Sequence, residues 1–146
     1  MIRKIFFIIL IIAFLTSCQN QTASNPSGPQ LGAAGTALFD DLTDAGGDVT
    51  TGIGLTQPFF SVPGIVISVS GEDLQVFEYA DAAAAARDVE GISADASTIN
   101  GEAMAWIAPP HFYQHGSLII LYIGDNGATL TLLQQIVGEQ FAGHAP

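Results

Sequence analysis

The sequence predicts an α+β domain: an antiparallel sheet of four to five strands, built from two hairpin-helix (ββα) units plus an N-terminal helix, with the helices mainly on one face. Three observations carry this expectation. Residues 64–70 and 73–79 are apolar-rich runs about Gly71-Glu72 that lead into the alanine-rich stretch 81–90. Residues 104–113 and 117–123 repeat that order about His115-Gly116 and lead into an amphipathic stretch starting at Asp125 or Asn126. Ahead of both units, Leu38, Phe39, Leu42 and Ala45 keep a helical spacing.

Taken in order, the first helix is expected over residues 32–45, stopped by Gly46-Gly47. Val49, Thr51, Ile53 and Leu55 alternate as a short strand before Pro58. Gly71-Glu72 suits a type II′ turn, which pairs Val69 with Leu74 and Ile67 with Val76. One face of that hairpin then carries Ile65, Ile67, Val69, Leu74 and Val76, a core face; the other carries Val66, Ser68, Gln75, Phe77 and Tyr79. Five alanines favour a helix over 81–90, ended by Gly91, with Arg87 in its last turn complementing the helix dipole. Pro109-Pro110 interrupts the second unit, and Leu130, Leu133, Ile136, Val137 and Phe141 give its helix an apolar face. Hairpins in series with helices imply a layered α+β architecture.

The 146 residues contain 3 Lys+Arg against 14 Asp+Glu, a formal net charge of −11. Nucleic acid is excluded as a partner, because binding it depends on clustered cations that release counterions. The single cysteine closes no intramolecular disulfide and builds no cysteine-based zinc site.

Two of the three cations, Arg3 and Lys4, precede an uninterrupted apolar run of 11 residues, Ile5 to Leu15. A membrane-spanning helix needs about 20 apolar residues, so the run is too short to span and suits a signal segment. Leu15-Thr16-Ser17-Cys18 resembles the lipobox of bacterial lipoproteins. The resemblance implies cleavage before Cys18, a diacylglyceryl thioether on its sulfur, and often a further acyl chain on the new amino terminus. It also implies a membrane-anchored lipoprotein outside the cytoplasm, and Gln19 in place of an aspartate points to the outer membrane or cell surface. An ordinary secretory peptide and an uncleaved short anchor are the alternatives. Each buried methylene contributes about 0.8 kcal/mol, so two or three chains hold where one is marginal.

Cleavage before Cys18 removes 17 residues and leaves 129, with Arg87 as the one cation against 14 acids, a balance of −13. The expected organisation is a signal peptide over residues 1–17, a lipidated N-terminus and polar tether over 18–30, and one domain over 31–146. The tether has Ala23 as its only apolar residue apart from two prolines and reads as disordered, with an r.m.s. span of roughly 19 Å.

Gln57-Pro58-Phe59-Phe60-Ser61-Val62-Pro63-Gly64, Gln75-Val76-Phe77-Glu78-Tyr79-Ala80-Asp81, Pro110-His111-Phe112-Tyr113 and the 118–124 segment resemble an uncharacterised group of small bacterial envelope proteins. That likeness covers residues 31–143 and implies no activity.

Few residues carry chemistry. His111 and His115 stand at i, i+4, but the flanking prolines and Gly116 deny them a helix, and an extended chain separates them by about 13 Å. His111 with Glu78 or Tyr113 would form an acid-base pair for a small hydrolase or isomerase if the groups converge in a cleft; the plain alternative is a structural hydrogen bond. Asp40 and Asp44, one turn apart, are weak Ca²⁺ candidates that lack the EF-hand order, or else a solvated face. Gly52-Ile53-Gly54 reads as a strand bend rather than a phosphate loop. Phe77, Tyr79, Trp106, His111 and Tyr113 are the candidate ligand-binding residues, on an aromatic sheet face and the 109–115 segment; the face is either open to an envelope protein or small molecule or closed by the N-terminal helix and the 57–64 segment. No cofactor is expected. The favoured role is non-catalytic binding by a lipid-anchored domain.

Overall fold

The computed structural model describes residues 30–144, so the signal segment, Cys18 and most of the tether lie outside the described residues. The chain forms α1 (Ala33–Asp44), β1 (Val49–Leu55), β2 (Gly64–Val69), β3 (Glu72–Glu78), α2 (Ala82–Val89), β4 (Thr98–Ile99), β5 (Glu102–Ala103), β6 (Pro110–His115), β7 (Leu118–Ile123), α3 (Gly127–Val137) and β8 (Ala142–Gly143). Six strands build one antiparallel sheet in the order β1-β2-β3-β7-β6-β8, and β4 and β5 form a separate two-stranded ribbon. The two expected hairpins are joined through β3 and β7, with Val76 opposite Ile120. Six strands replace the expected four to five: β8 has only two residues, opposite His111 and Phe112, and so short a strand has no periodicity to read.

The β2–β3 turn differs from expectation. Val69 pairs with Glu72, and Ser70 (φ 52°) and Gly71 (φ 90°) are the two central residues. Two positive φ values make this a type I′ loop, not a II′ loop at Gly71-Glu72. Ile67 therefore faces Leu74 instead of Val76. Because the slip is two residues and side chains alternate with period two, both faces keep their composition.

The helices also differ from expectation, since they cover both faces. Leu38 and Leu42 of α1 and Leu133 and Val137 of α3 pack on the Ile67, Leu74 and Ile120 face. Ala85 of α2 packs on the opposite face with Phe60, Phe77, Tyr79, Phe112 and Leu121. Phe77 and Phe112 are fully buried there, each contributing about 1.5–3 kcal/mol. Small alanines let α2 lie close to that bulky face.

Local chemistry sets the helix ends. Asp81 caps α2 by accepting from the Ala84 amide at 2.7 Å, and Asn126 caps α3 through the Ala128 amide at 3.0 Å. Gly32, at the N-cap of α1, has no side chain with which to cap it, and a residue from the sheet does so instead.

Candidate functional site

The sequence-derived candidates are spread over the fold rather than gathered. His111 is 1% exposed on β6, its ring stacked on Tyr122 with centroids 5.9 Å apart. Its Nε2 donates to the Gly124 carbonyl at 3.1 Å, and its Nδ1 lies 2.6 Å from Gln140 Oε1. The Gln140 amide nitrogen in turn donates to the His144 carbonyl at 2.7 Å. Both ring nitrogens are thus engaged in tying β6 to the β7–α3 loop and the C-terminal segment. Tyr113 lies two residues away on the same face, and burial, followed by the neighbouring Tyr122, pushes its hydroxyl pKa up.

Glu78 is not near His111. His111 is opposite Tyr122, and Tyr122 is opposite Leu74, so Glu78 lies two strands across and four residues along, about 13 Å in the strand direction alone. Its carboxylate is engaged elsewhere: Oε1 accepts from the Ala34 amide and Oε2 from the Gly35 amide, both at 3.1 Å. His111 and Glu78 are therefore not brought together as an acid-base pair.

The aromatic face is closed. Phe77 and Tyr79 are buried, with Phe60 against Phe77 at 4.3 Å between ring centroids. Trp106 is half-buried and meets Phe112 at 5.7 Å, while its indole N–H donates to the Ala96 carbonyl at 2.7 Å. The turn presenting that carbonyl is organised by Asp95, which accepts from the Ser97 amide and from the Ser97 and Ser93 hydroxyls; these bonds hold its pKa down at about 2.

Asp40 and Asp44 are exposed on α1, and among the described residues no group of three His, Cys, Asp or Glu side chains is placed to hold a metal. The register of β1 shifts between Thr51 and Gly54, with Gly52 inside the irregular stretch, in keeping with a bent strand.

That bend shapes a site the candidate residues did not define. Gly54 stands opposite Ile65 without a side chain, and there a groove of about 800 Å³ opens. Leu31 and Gly32 at the start of α1, Leu55 of β1 and Val62-Pro63 of the following connection form its walls; Ile65 and Val76 form its floor, and Glu78 closes one side. Volume and aliphatic lining are those of a small-molecule site with a few polar groups at its edge. Ile53, 74% exposed, lies on the same strand beside it.

The outer wall is held by hydrogen bonds. Asp88 Oδ2 accepts from the Ser61 amide at 2.8 Å, the Ser61 hydroxyl at 2.9 Å and the Tyr79 hydroxyl at 2.7 Å. Partial burial alone would raise the Asp88 pKa, but these donors, with Arg87 nearby, outweigh it and lower the pKa. Tyr79 is shifted strongly upward, first by burial and then by the Asp88 carboxylate it serves. Gln57 donates to Gln75 at 2.8 Å, fixing the start of the same connection. No periodicity marks this groove, because its lining comes from four separate segments; the only local signals are the glycines of β1 and the 57–64 motif.

A second groove of about 570 Å³ lies along α3, lined by Tyr113, Asp125, Leu130, Gln134, Glu139 and Gln140 among others. It is more polar than the first and shares Gln140 with the His111 network.

Among known proteins, residues 3–19 match the family model described as the prokaryotic membrane lipoprotein lipid attachment site, a range that contains Cys18. This supports a signal segment and a membrane-anchored lipoprotein. Among the described residues no helix is long and apolar enough to cross a membrane. No curated protein and no solved structure matches the chain.

Proposed function

We propose that this lipid-anchored protein is a non-catalytic binding module of the envelope, and that its folded domain takes an apolar ligand in the groove between the start of α1 and the end of β1. The observation that carries this reading is the groove itself: about 800 Å³ of space, aliphatic on its walls and floor, at the point where the chain enters the fold. The non-catalytic reading is supported by the Glu78 carboxylate accepting from the α1 amides and by both His111 ring nitrogens having partners within the fold, which gives each residue a structural part. The ligand is held by burial of apolar surface and not by ion pairing, in keeping with a mature chain that has Arg87 as its one cation.

The test is a thermal-shift titration of residues 30–146 with the neutral probe N-phenyl-1-naphthylamine. A ligand that binds only the native state raises the midpoint with its concentration. We expect such a rise, and its loss in Leu55→Glu, which puts a charge in the groove wall. A midpoint that does not move, or that moves equally in the variant, overturns the reading.

A further inference from the structure

The groove and the lipid attachment site are joined by a short length of chain, and from this we infer the groove's occupant: one acyl chain of the lipid carried by Cys18, seated there when the protein is not inserted in a bilayer. The inference rests on the reading of the groove as an apolar binding site. Gln30 and Leu31 both line the groove, so the chain leading from the lipidated cysteine enters the fold at this point. Eleven residues separate Cys18 from Gln30, a reach of at most about 40 Å even fully extended. A ligand attached through so short a link meets the site at an effective concentration of the order of millimolar.

The linking segment cannot fill the groove itself. Residues 19–29 read QNQTASNPSGP, with one alanine and two prolines among polar residues and glycine. An aliphatic cleft lined by Leu31, Leu55, Val62 and Ile65 finds no complement in that stretch. Of everything N-terminal to Gln30 in the processed chain, the lipid is the apolar part.

Charge separates this occupant from other lipids. Glu78 borders the groove, and the processed chain carries 14 acidic residues against Arg87. A free fatty acid or an anionic phospholipid would bring a like charge beside Glu78. An acyl chain joined through the Cys18 thioether or amide brings none. Hydration of the methylenes drives the chain into the groove in water, whereas in a bilayer the chain is already dry and the groove has no advantage. The seat is therefore filled off the membrane and vacated on insertion.

The experiment uses the lipidated full-length product, purified in detergent and then freed of it. A photoreactive p-benzoylphenylalanine replaces Leu55 or, separately, Val62, both half-buried in the wall, with Ile107, 96% exposed and outside the groove, as the control position. Irradiation is expected to join position 55 or 62 to the lipidated Cys18 peptide, read by mass spectrometry, and to give no such product from position 107. Adding neutral phosphatidylcholine vesicles before irradiation is expected to abolish the product. Absence of the Cys18 product from both wall positions, or equal yield from position 107, overturns the inference. If the probe titration of residues 30–146 still succeeds in that case, the groove reading stands and only its occupant is wrong; if that titration fails as well, both fall.

Discussion

Glu78, the last residue of β3, caps α1 from across the fold: its two carboxylate oxygens accept from the amides of Ala34 and Gly35, each at 3.1 Å. A helix whose N-cap is glycine thus receives its acceptor from the sheet, and the carboxylate complements the positive end of the helix dipole. The same contact fixes one side of the groove.

Glu78→Ala is therefore expected to destabilise the domain by about 1–3 kcal/mol, the range for two amide donors losing a charged acceptor. Glu78→Gln, which retains one carbonyl oxygen, should lose less. A Cβ at Gly32 would collide with the carboxylate, so Gly32→Ala should reproduce part of the loss, and the double variant should fall short of the sum. Urea unfolding of the four proteins measures this; a strictly additive pair would show that the two residues act separately.

The Asp88 network predicts a pH dependence at both extremes. Asp88 has a depressed pKa in the fold, so its contribution is present above the ordinary carboxylate range and is lost as pH falls through the folded value. Tyr79 has a raised pKa, so its contribution is complete below the unfolded value of 10.0 and declines as pH rises beyond it. Asp88→Asn should flatten the acid limb of a plot of Tm against pH, and Tyr79→Phe should flatten the alkaline limb. In both variants the 57–64 connection should gain amide hydrogen exchange, because Ser61 loses its anchor directly or through a weakened acceptor.

His111→Ala tests whether that residue is a tie or a reacting group. Its removal leaves the Gly124 carbonyl and the Gln140 side chain without their partner, a cost of about 1–3 kcal/mol beyond the lost ring packing. Hydrogen exchange should rise at Phe141 and His144, whose amides flank β8 and donate to the Phe112 and Pro110 carbonyls on either side of His111, each at 2.9 Å. Binding of N-phenyl-1-naphthylamine in the groove should be unchanged at temperatures where the variant is folded.

Asp40→Asn and Asp44→Asn should each stabilise α1 by a few tenths of a kcal/mol, by relieving a like-charge pair one turn apart on an exposed face. Thermal shift in the presence and absence of Ca²⁺ should give the same difference for wild type and variants. A Ca²⁺-dependent rise confined to the wild type would mean that these carboxylates hold the ion.

Much of the fold was legible in local pattern. Leu38 and Leu42 are buried in α1, and Ile65, Ile67 and Val69 share the core face of β2, because a helix repeats every 3.6 residues and a strand every two. The Asn100-Gly101 turn between β4 and β5 was also legible in principle. Its residues have φ of 52° and 82°, and Asn-Gly is a strong hairpin signal, but two-residue strands give it no flanking alternation to stand on. The candidate site was less legible. Glu78 and His111 looked like possible partners because sequence shows residue types and not the strands between them.

By itself the sequence determined what short-range chemistry determines: the apolar segment and cysteine of the lipid attachment site, the acidic balance, the identity of the hairpins and helices, and which side chains share a strand face. Only the tertiary structure decided that α2 covers the aromatic face, that Glu78 is engaged at α1 and His111 at the C-terminal segment, and that Leu31, Leu55, Val62 and Val76 meet around one groove. The reason is physical. Backbone period and turn geometry act over a few residues, whereas the groove and the Glu78 cap join residues more than 40 positions apart, which come together only when the whole apolar surface is buried at once.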